Sequence, residues 1–390
     1  MSGRIFSLLA CAAAAIGLGG LAPSPAPSSG VIHFATSIPR TTLGAGAPIT
    51  DAALSGDGKT LALSTGDTIV LRDLSSGRTI AMLHGNVLPK VLGDHSNVFG
   101  ALAISRDGAY VAAGGYNIDG FSDHAGVVDS VTRVWRRTNP QAVRVWKNVA
   151  PKVMAFSADD KELVVRGPAL SDTPDTVWTA NLGTGAMGHW IAEWKVDADK
   201  DSYNECSPAG FDAAQPTFIE SLAALVLSSG ECKTFPEASQ LPLRLWPIGA
   251  RVPEAPLRGP LINSYDMVAL TPDAKTAVTA GDDRFAVWDL TARKLRVDGA
   301  GVANDISPRL DSIAASGRYA VGLYLADPSE QGRWDQYFLS VWDLRTARHI
   351  ATTGIRTSSE DSHLLLSGDG WRAYVTTPSG IDEWDLKAGA

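Results

Sequence analysis

The chain has 390 residues, a formal net charge of −8 and 45% apolar residues, an ordinary share for a globular protein with a buried core. Its basic residues form no run, which argues against nucleic acid or an anionic membrane surface as a partner. Gly (38) and Pro (22) are frequent, so many turns are expected, as in an all-β chain.

The chain opens on an export signature. Arg4 supplies a positive start, Ile5 to Leu21 is apolar and uncharged, and Pro23 to Gly30 is a spacer of small residues, Pro and Ser. Residues 1–22 therefore read as a signal peptide and 23–30 as a spacer, with an uncleaved anchor as the alternative. If the signal is cleaved, no stable membrane insertion is expected. Leu8-Leu9-Ala10-Cys11 is similar to a lipoprotein box, but the apolar run continues past Cys11, which weighs against lipidation. Export would place the mature chain in an oxidising compartment with two cysteines, Cys206 and Cys232. They can form one internal bridge or remain two buried thiols. A bridge would stabilise the fold by about 3 kcal/mol in the chain-entropy model. No Asn-x-Ser/Thr site occurs, so a periplasmic or extracellular place in a bacterial envelope is expected.

Val31 to Ile38 has strand composition but no repeat of its own. From there a unit recurs to the end of the chain. Its first mark is a tight turn between alternating apolar runs: Ser55-Gly-Asp57-Gly58, Ser105-Arg-Asp107-Gly108, Ser157-Ala-Asp159-Asp160, Thr271-Pro-Asp273-Ala274 and Ser367-Gly-Asp369-Gly370. This is a hairpin signal. Its second mark is a Trp that closes a later strand, at 135, 178, 246, 288, 342 and 384. Three of the five intervals are 43, 42 and 42 residues, and the other two are 68 and 54. Asp273 and Asp369 each precede their Trp by 15 residues, and Asp57 precedes Arg72 by the same distance. Arg72 is therefore a seventh copy with Trp replaced. Four strands in about 42 residues is the unit of a propeller blade, which buries its faces only when stacked. The expected fold is an all-β, seven-bladed β-propeller over residues 31–390 with four-stranded antiparallel blades. The last copy ends near Trp384 without a fourth strand, so residues 31–40 are expected to supply it and close the ring, removing a free edge.

Val287-Trp288-Asp289-Leu290 and Val341-Trp342-Asp343-Leu344 resemble the endings of the WD-repeat family, and His95 stands near the place of that family's Gly-His. The resemblance spans about residues 45–390. It implies a propeller and says nearly nothing of activity. Gly-His is missing before Trp288 and Trp384, and Trp-Asp is lost at Trp135, Trp178 and Trp246. The family's His–Ser/Thr–Asp–Trp hydrogen-bond network is thus expected to be broken in most copies.

Surplus residues interrupt the period in three places: Tyr116 to Ser130 in the second copy, around Cys206 and Cys232 in the fourth, and Ala326 to Gln336 in the sixth. In a blade of this type these loops would thicken one face, and insertions on one face often mark a binding surface. The candidates there are Phe121, Asp123, His124, Arg333, Trp334 and Tyr337, aromatics among charges. The same aromatics could instead pin the loops to the blades. Trp371, in a hairpin turn, reads either as an exposed contact or as a cap on the neighbouring blade.

No catalytic constellation stands out. Gly56-Asp-Gly-Lys-Thr60 lacks the first Gly of a phosphate loop, and no helix pattern follows it. Asp197, Asp199 and Asp201 have the opening spacing of a calcium loop, but Ser202 and Pro208 replace its turn Gly and bidentate Glu. The seven His show no zinc spacing. No cofactor is expected. The expected function is a non-catalytic scaffold for a protein or peptide, monomeric, acting through the thickened face. The alternative is an exported propeller enzyme, a hydrolase or lactonase, with a site at the channel mouth.

Overall fold

The computed structural model describes residues 32–39, 42, 49–65, 68–85, 98–118, 127–149, 151, 153–157, 159–167, 176–191, 217–220, 244–247, 257–258, 267–271, 275–280, 284–300, 309–325, 337–355, 363–377 and 379–386. These residues are strands and turns, with no helix among them. One strand, β1 (His33–Pro39), precedes the first sheet, which is built from β2 (Ile49–Leu54), β3 (Thr60–Thr65), β4 (Thr68–Asp73) and β5 (Arg78–His84) in that spatial order. The second is β6 (Val98–Ile104), β7 (Tyr110–Ile118), β8 (Val127–Arg136) and β9 (Ala142–Lys147). The third is β10 (Val153–Phe156), β11 (Glu162–Gly167), β12 (Thr176–Asn181) and β13 (Met187–Ile191). Two strands follow, β14 (Thr217–Glu220) paired with β15 (Arg244–Pro247). The next sheets are β16 (Met267–Leu270), β17 (Thr276–Ala280), β18 (Arg284–Asp289) and β19 (Lys294–Ala300), then β20 (Arg309–Ser316), β21 (Tyr319–Leu325), β22 (Tyr337–Asp343) and β23 (Arg348–Ile355). The last holds β24 (Leu364–Leu366), β25 (Arg372–Thr377) and β26 (Gly380–Asp385).

The last sheet has its fourth strand from the other end of the chain. β1 pairs antiparallel with β26, from His33 opposite Asp385 to Pro39 opposite Gly380. Phe34 packs edge-on against Trp384 at 5.4 Å, and Ile32 is buried in the same apolar cluster as Trp384. The expected fourth strand of the last sheet is thus supplied by His33–Pro39.

Burial follows strand order. Every residue of β3 is buried, and so are the four central residues of β4, whereas β5 is mostly exposed. Strands covered on both faces need continuous apolar runs, as in Leu61-Ala-Leu63 and Ile69-Val-Leu71. The covering comes from neighbouring sheets. The first strands pack on one another, β24 on β2, β2 on β6, β6 on β10, and likewise β16 on β20 and β20 on β24.

The Ser-x-Asp-Gly turns close the hairpins by a repeated bond pair. Ser55 Oγ donates to Asp57 Oδ1 at 2.6 Å and accepts the Thr60 N–H at 2.9 Å. The same pair recurs at Ser105, Ser157 and Ser367. The fourth residue is left-handed in each, with φ of 71° at Gly58, 69° at Gly108, 54° at Asp160 and 75° at Gly370. Turns of adjacent sheets also touch: Asp57 N–H donates to Arg106 O, Arg106 N–H to Asp160 Oδ1, and Ser316 Oγ to Gly368 O. At Gly58 a Cβ would fall 2.7 Å from the Gly368 amide nitrogen. Gly58→Ala should therefore cost roughly 2–3 kcal/mol, backbone strain plus collision, and Gly77→Ala (φ 66°, nearest atom 3.4 Å) only about 1 kcal/mol. Urea denaturation compares the two; equal losses would show that the close approach of the turns costs nothing.

The Trp positions need one correction. Trp288 faces Ala277 across the ladder, Trp342 faces Ala320, Trp384 faces Ala373 and Trp135 faces Val111, each one step inside the strand end. In the third sheet that step is Ala180 opposite Leu163, and Trp178 lies two residues earlier. The turn confirms the register: Asn181 accepts the Thr184 N–H as Asp343 accepts the Thr346 N–H, and Gly185 (φ 77°) takes the left-handed place of Ala347 (φ 51°). A second correction concerns the insertion at 116–130. Tyr116 pairs with Ser130, Asn117 with Asp129 and Ile118 with Val127, so much of it is a longer hairpin, and only 119–126 lies beyond the strands.

Candidate functional site

In a four-stranded antiparallel sheet the first-to-second and third-to-fourth turns leave from one end. The other two kinds of connection leave from the opposite end. In the six four-stranded sheets the first kind never exceeds five residues, as in 55–59, 74–77, 137–141 and 344–347. The second kind includes 85–97, 119–126, 168–175, 301–308, 326–336 and 356–363. In the six four-stranded sheets the longer connections therefore all leave from one end.

Of the six candidate contact residues, Phe121, Asp123, His124, Arg333 and Trp334 lie outside the described residues, as do Cys206 and Cys232. Tyr337 is described: it starts β22, opposite Leu325 and Ile355, and is 3% exposed within the core. Its side chain is buried rather than presented to solvent. Trp371 caps its neighbour. It meets Tyr319 edge-on at 5.5 Å, and the Arg318 guanidinium covers both rings.

Among the described residues, the Trp-to-hydroxyl bond of that network is made in one place and missing in two. Trp288 Nε1 donates to Thr279 Oγ1 at 3.0 Å. Thr279 lies two residues past the ladder partner of Trp288. At that step the second sheet has Ala113 and the last has Val375. Trp135 Nε1 and Trp384 Nε1 accordingly have no hydrogen-bond partner. These Trp residues are held by packing: Trp342 stacks on Phe285 of the preceding sheet at 4.9 Å and 6°.

The loop-bearing end holds one arrangement of titratable groups that no local motif revealed. Near the start of β2, Asp51 accepts the Ala52 N–H at 2.7 Å, and the backbone at Leu102 in β6 also bonds to its carboxylate. Just before β24, His363 brings Nδ1 to 3.4 Å from Asp51 Oδ1 and Nε2 to 3.1 Å from the Thr50 carbonyl. The His363 backbone N–H donates to Thr376 Oγ1 at 2.7 Å, which anchors the backbone there. Burial pushes the Asp51 carboxyl up to about 6, against the opposing pull of His363 and the two backbone bonds. Both ring nitrogens are engaged, so the pair has no free base to offer a substrate. It joins the first and last sheets and can hold a proton between them. Among the described residues, no group of three or more His, Cys, Asp or Glu is placed to bind a metal ion.

No protein-family model matches the chain, and a search of curated proteins finds no match.

Proposed function

We propose that the chain is an exported, non-catalytic seven-bladed β-propeller of WD-repeat type that binds a protein or peptide through the loop-bearing end of its sheets. The observation that carries this reading is the asymmetry of the connections in the six four-stranded sheets: short turns at one end, the longer connections at the other. A rigid stack of sheets that adds length only at one end presents that end for recognition, since loops vary without disturbing the core. The ring rests on the stacking order. First strands contact in the sequence β10, β6, β2, β24, β20, β16, which leaves one gap, between the third sheet and β16. The β14–β15 pair falls there in the chain, as the seventh blade would. The signal at 1–22 supports a periplasmic or extracellular location, and a Cys206–Cys232 bridge would suit it.

The test uses the hairpin geometry. Leu325 pairs with Tyr337, and Ile118 with Val127, so 326–336 or 119–126 can each be replaced by Asn-Gly, which closes a two-residue hairpin. Wild-type protein is used to recover partners from the envelope fraction, and each recovered partner is purified and titrated against both loop variants. The reading expects at least one partner to lose tenfold or more in affinity with the melting temperature of the variant unchanged. Equal affinity of every partner for all three proteins rejects this end as the binding surface.

A further inference from the structure

Among the described residues, the interface between the first and last sheets differs from the others. Each of the other five apolar clusters contains a Trp. The cluster joining β2–β4 to β25 and β26 is made of Ile49, Ala52, Leu61, Leu63, Val70, Tyr374 and Ile381, with none. In the first sheet the Trp position is Arg72, opposite Leu61 and 7% exposed, and its Nε is buried without a hydrogen-bond partner. A guanidinium packs less apolar area than an indole and costs more to bury. The seam that joins the two ends of the chain thus lacks the indole that the other clusters contain, and it carries the Asp51–His363 pair.

We propose that Asp51 and His363 form a proton-operated latch, which holds the first and last sheets together while the pair shares a proton and loosens the seam when that proton leaves. The proton count follows from the acceptors. The Thr50 carbonyl only accepts, so Nε2 of His363 carries hydrogen. Nδ1 faces a carboxyl oxygen. The contact is favourable in two states: an imidazolium donating to a carboxylate, or a protonated carboxyl donating to a neutral ring. Each holds one proton more than a carboxylate beside a neutral ring. Removal of that proton leaves the Nδ1 lone pair against a buried carboxylate. Among the described residues, the other groups about the pair do not titrate: Thr50 and Ser64, linked by the Thr50 Oγ1 bond to Ser64 O, Thr376, and the backbone at Ala52 and Leu102. Among the described residues, His363 is the charge that acts on Asp51. The His363 side chain is 33% exposed and Asp51 13%, so the pair is open to solvent from the imidazole side.

The sign follows from linkage. Asp51 is raised in the folded state, so its contribution is full below its ordinary value near 3.8 and is lost as pH rises through about 6. The inference goes beyond the proposed binding function and rests on the seam alone. The test measures hydrogen exchange and melting of the full chain at pH 5.5 and pH 8, exchange being corrected for its intrinsic pH dependence. In wild type, β2 and β24 should exchange about twofold to fourfold faster at pH 8 than at pH 5.5, relative to β21 and β22. Asp51→Asn retains an acceptor for the Ala52 and Leu102 amides and should abolish that difference, melting above wild type at pH 8. Failure of the variant to fold leaves the wild-type comparison decisive. Uniform protection of wild type at both pH values, or parallel pH dependence of wild type and Asp51→Asn, overturns the latch.

Discussion

Deletion of residues 31–40 is expected to lower the melting temperature of the whole protein by about 10 °C or more. β1 is ladder-paired to β26 at six positions, and each backbone hydrogen bond lost contributes about 0.5–1.5 kcal/mol net. The deletion also removes buried Ile32 and uncovers Trp384, where Phe34 now lies at 5.4 Å. Apolar burial on that scale adds about 2 kcal/mol. Together these give roughly 5 kcal/mol, at about 2–4 °C per kcal/mol for a chain of this size. The exposed edge of β26 would also template pairing between molecules, so concentration-dependent aggregation should accompany the lower melting point. Scanning calorimetry of wild type and deletion checks both. Unchanged melting would mean that β1 adds nothing to the last sheet.

Trp342→Ala is expected to be the most damaging point substitution among the Trp residues, at about 3–5 kcal/mol. Its indole is fully buried, stacked on Phe285 and flanked by Tyr324 at 5.9 Å and His349 at 5.4 Å. It fills the space between two sheets, so a cavity would open in both. Trp371→Ala should cost only about 1 kcal/mol, because Trp371 is half-buried and covers Tyr319 from outside. Urea denaturation ranks the pair. Comparable losses would show that Trp342 does not anchor the contact between sheets.

The four-strand unit was legible because two chemical marks recur in phase. The Ser-x-Asp-Gly turn requires a hydroxyl, a carboxylate and a left-handed residue in fixed order, and the structure uses all three at Ser55, Asp57 and Gly58. Trp178 misled for a matching reason. It follows Val177 as Trp288 follows Val287, but the register is set by the turn after the strand, where Asn181 and Gly185 do the work of Asp and a left-handed residue. The insertion at 116–130 was overstated because alternating strand residues cannot be told from a loop by counting surplus length. Tyr337 was read with the loop beside it, although its pairing with Leu325 makes it the first residue of a buried strand. The Asp51–His363 pair was not legible at all. Its partners are over 300 residues apart, with 313 between Thr50 and His363, and only the meeting of the first and last sheets brings them together.

The joining of the two chain ends in one sheet is the claim on which the ring depends, and a cross-link tests it most directly. Ser37 and Asp382 are ladder partners on β1 and β26, placed for a disulfide between facing strands. Ser37→Cys with Asp382→Cys is made in a chain whose Cys11, Cys206 and Cys232 are changed to Ser. Mild oxidation at low protein concentration, followed by mass spectrometry of the unreduced digest, should yield one intramolecular bridge between the two positions and a higher melting temperature. Two free thiols, or bridges between molecules alone, would contradict the closure.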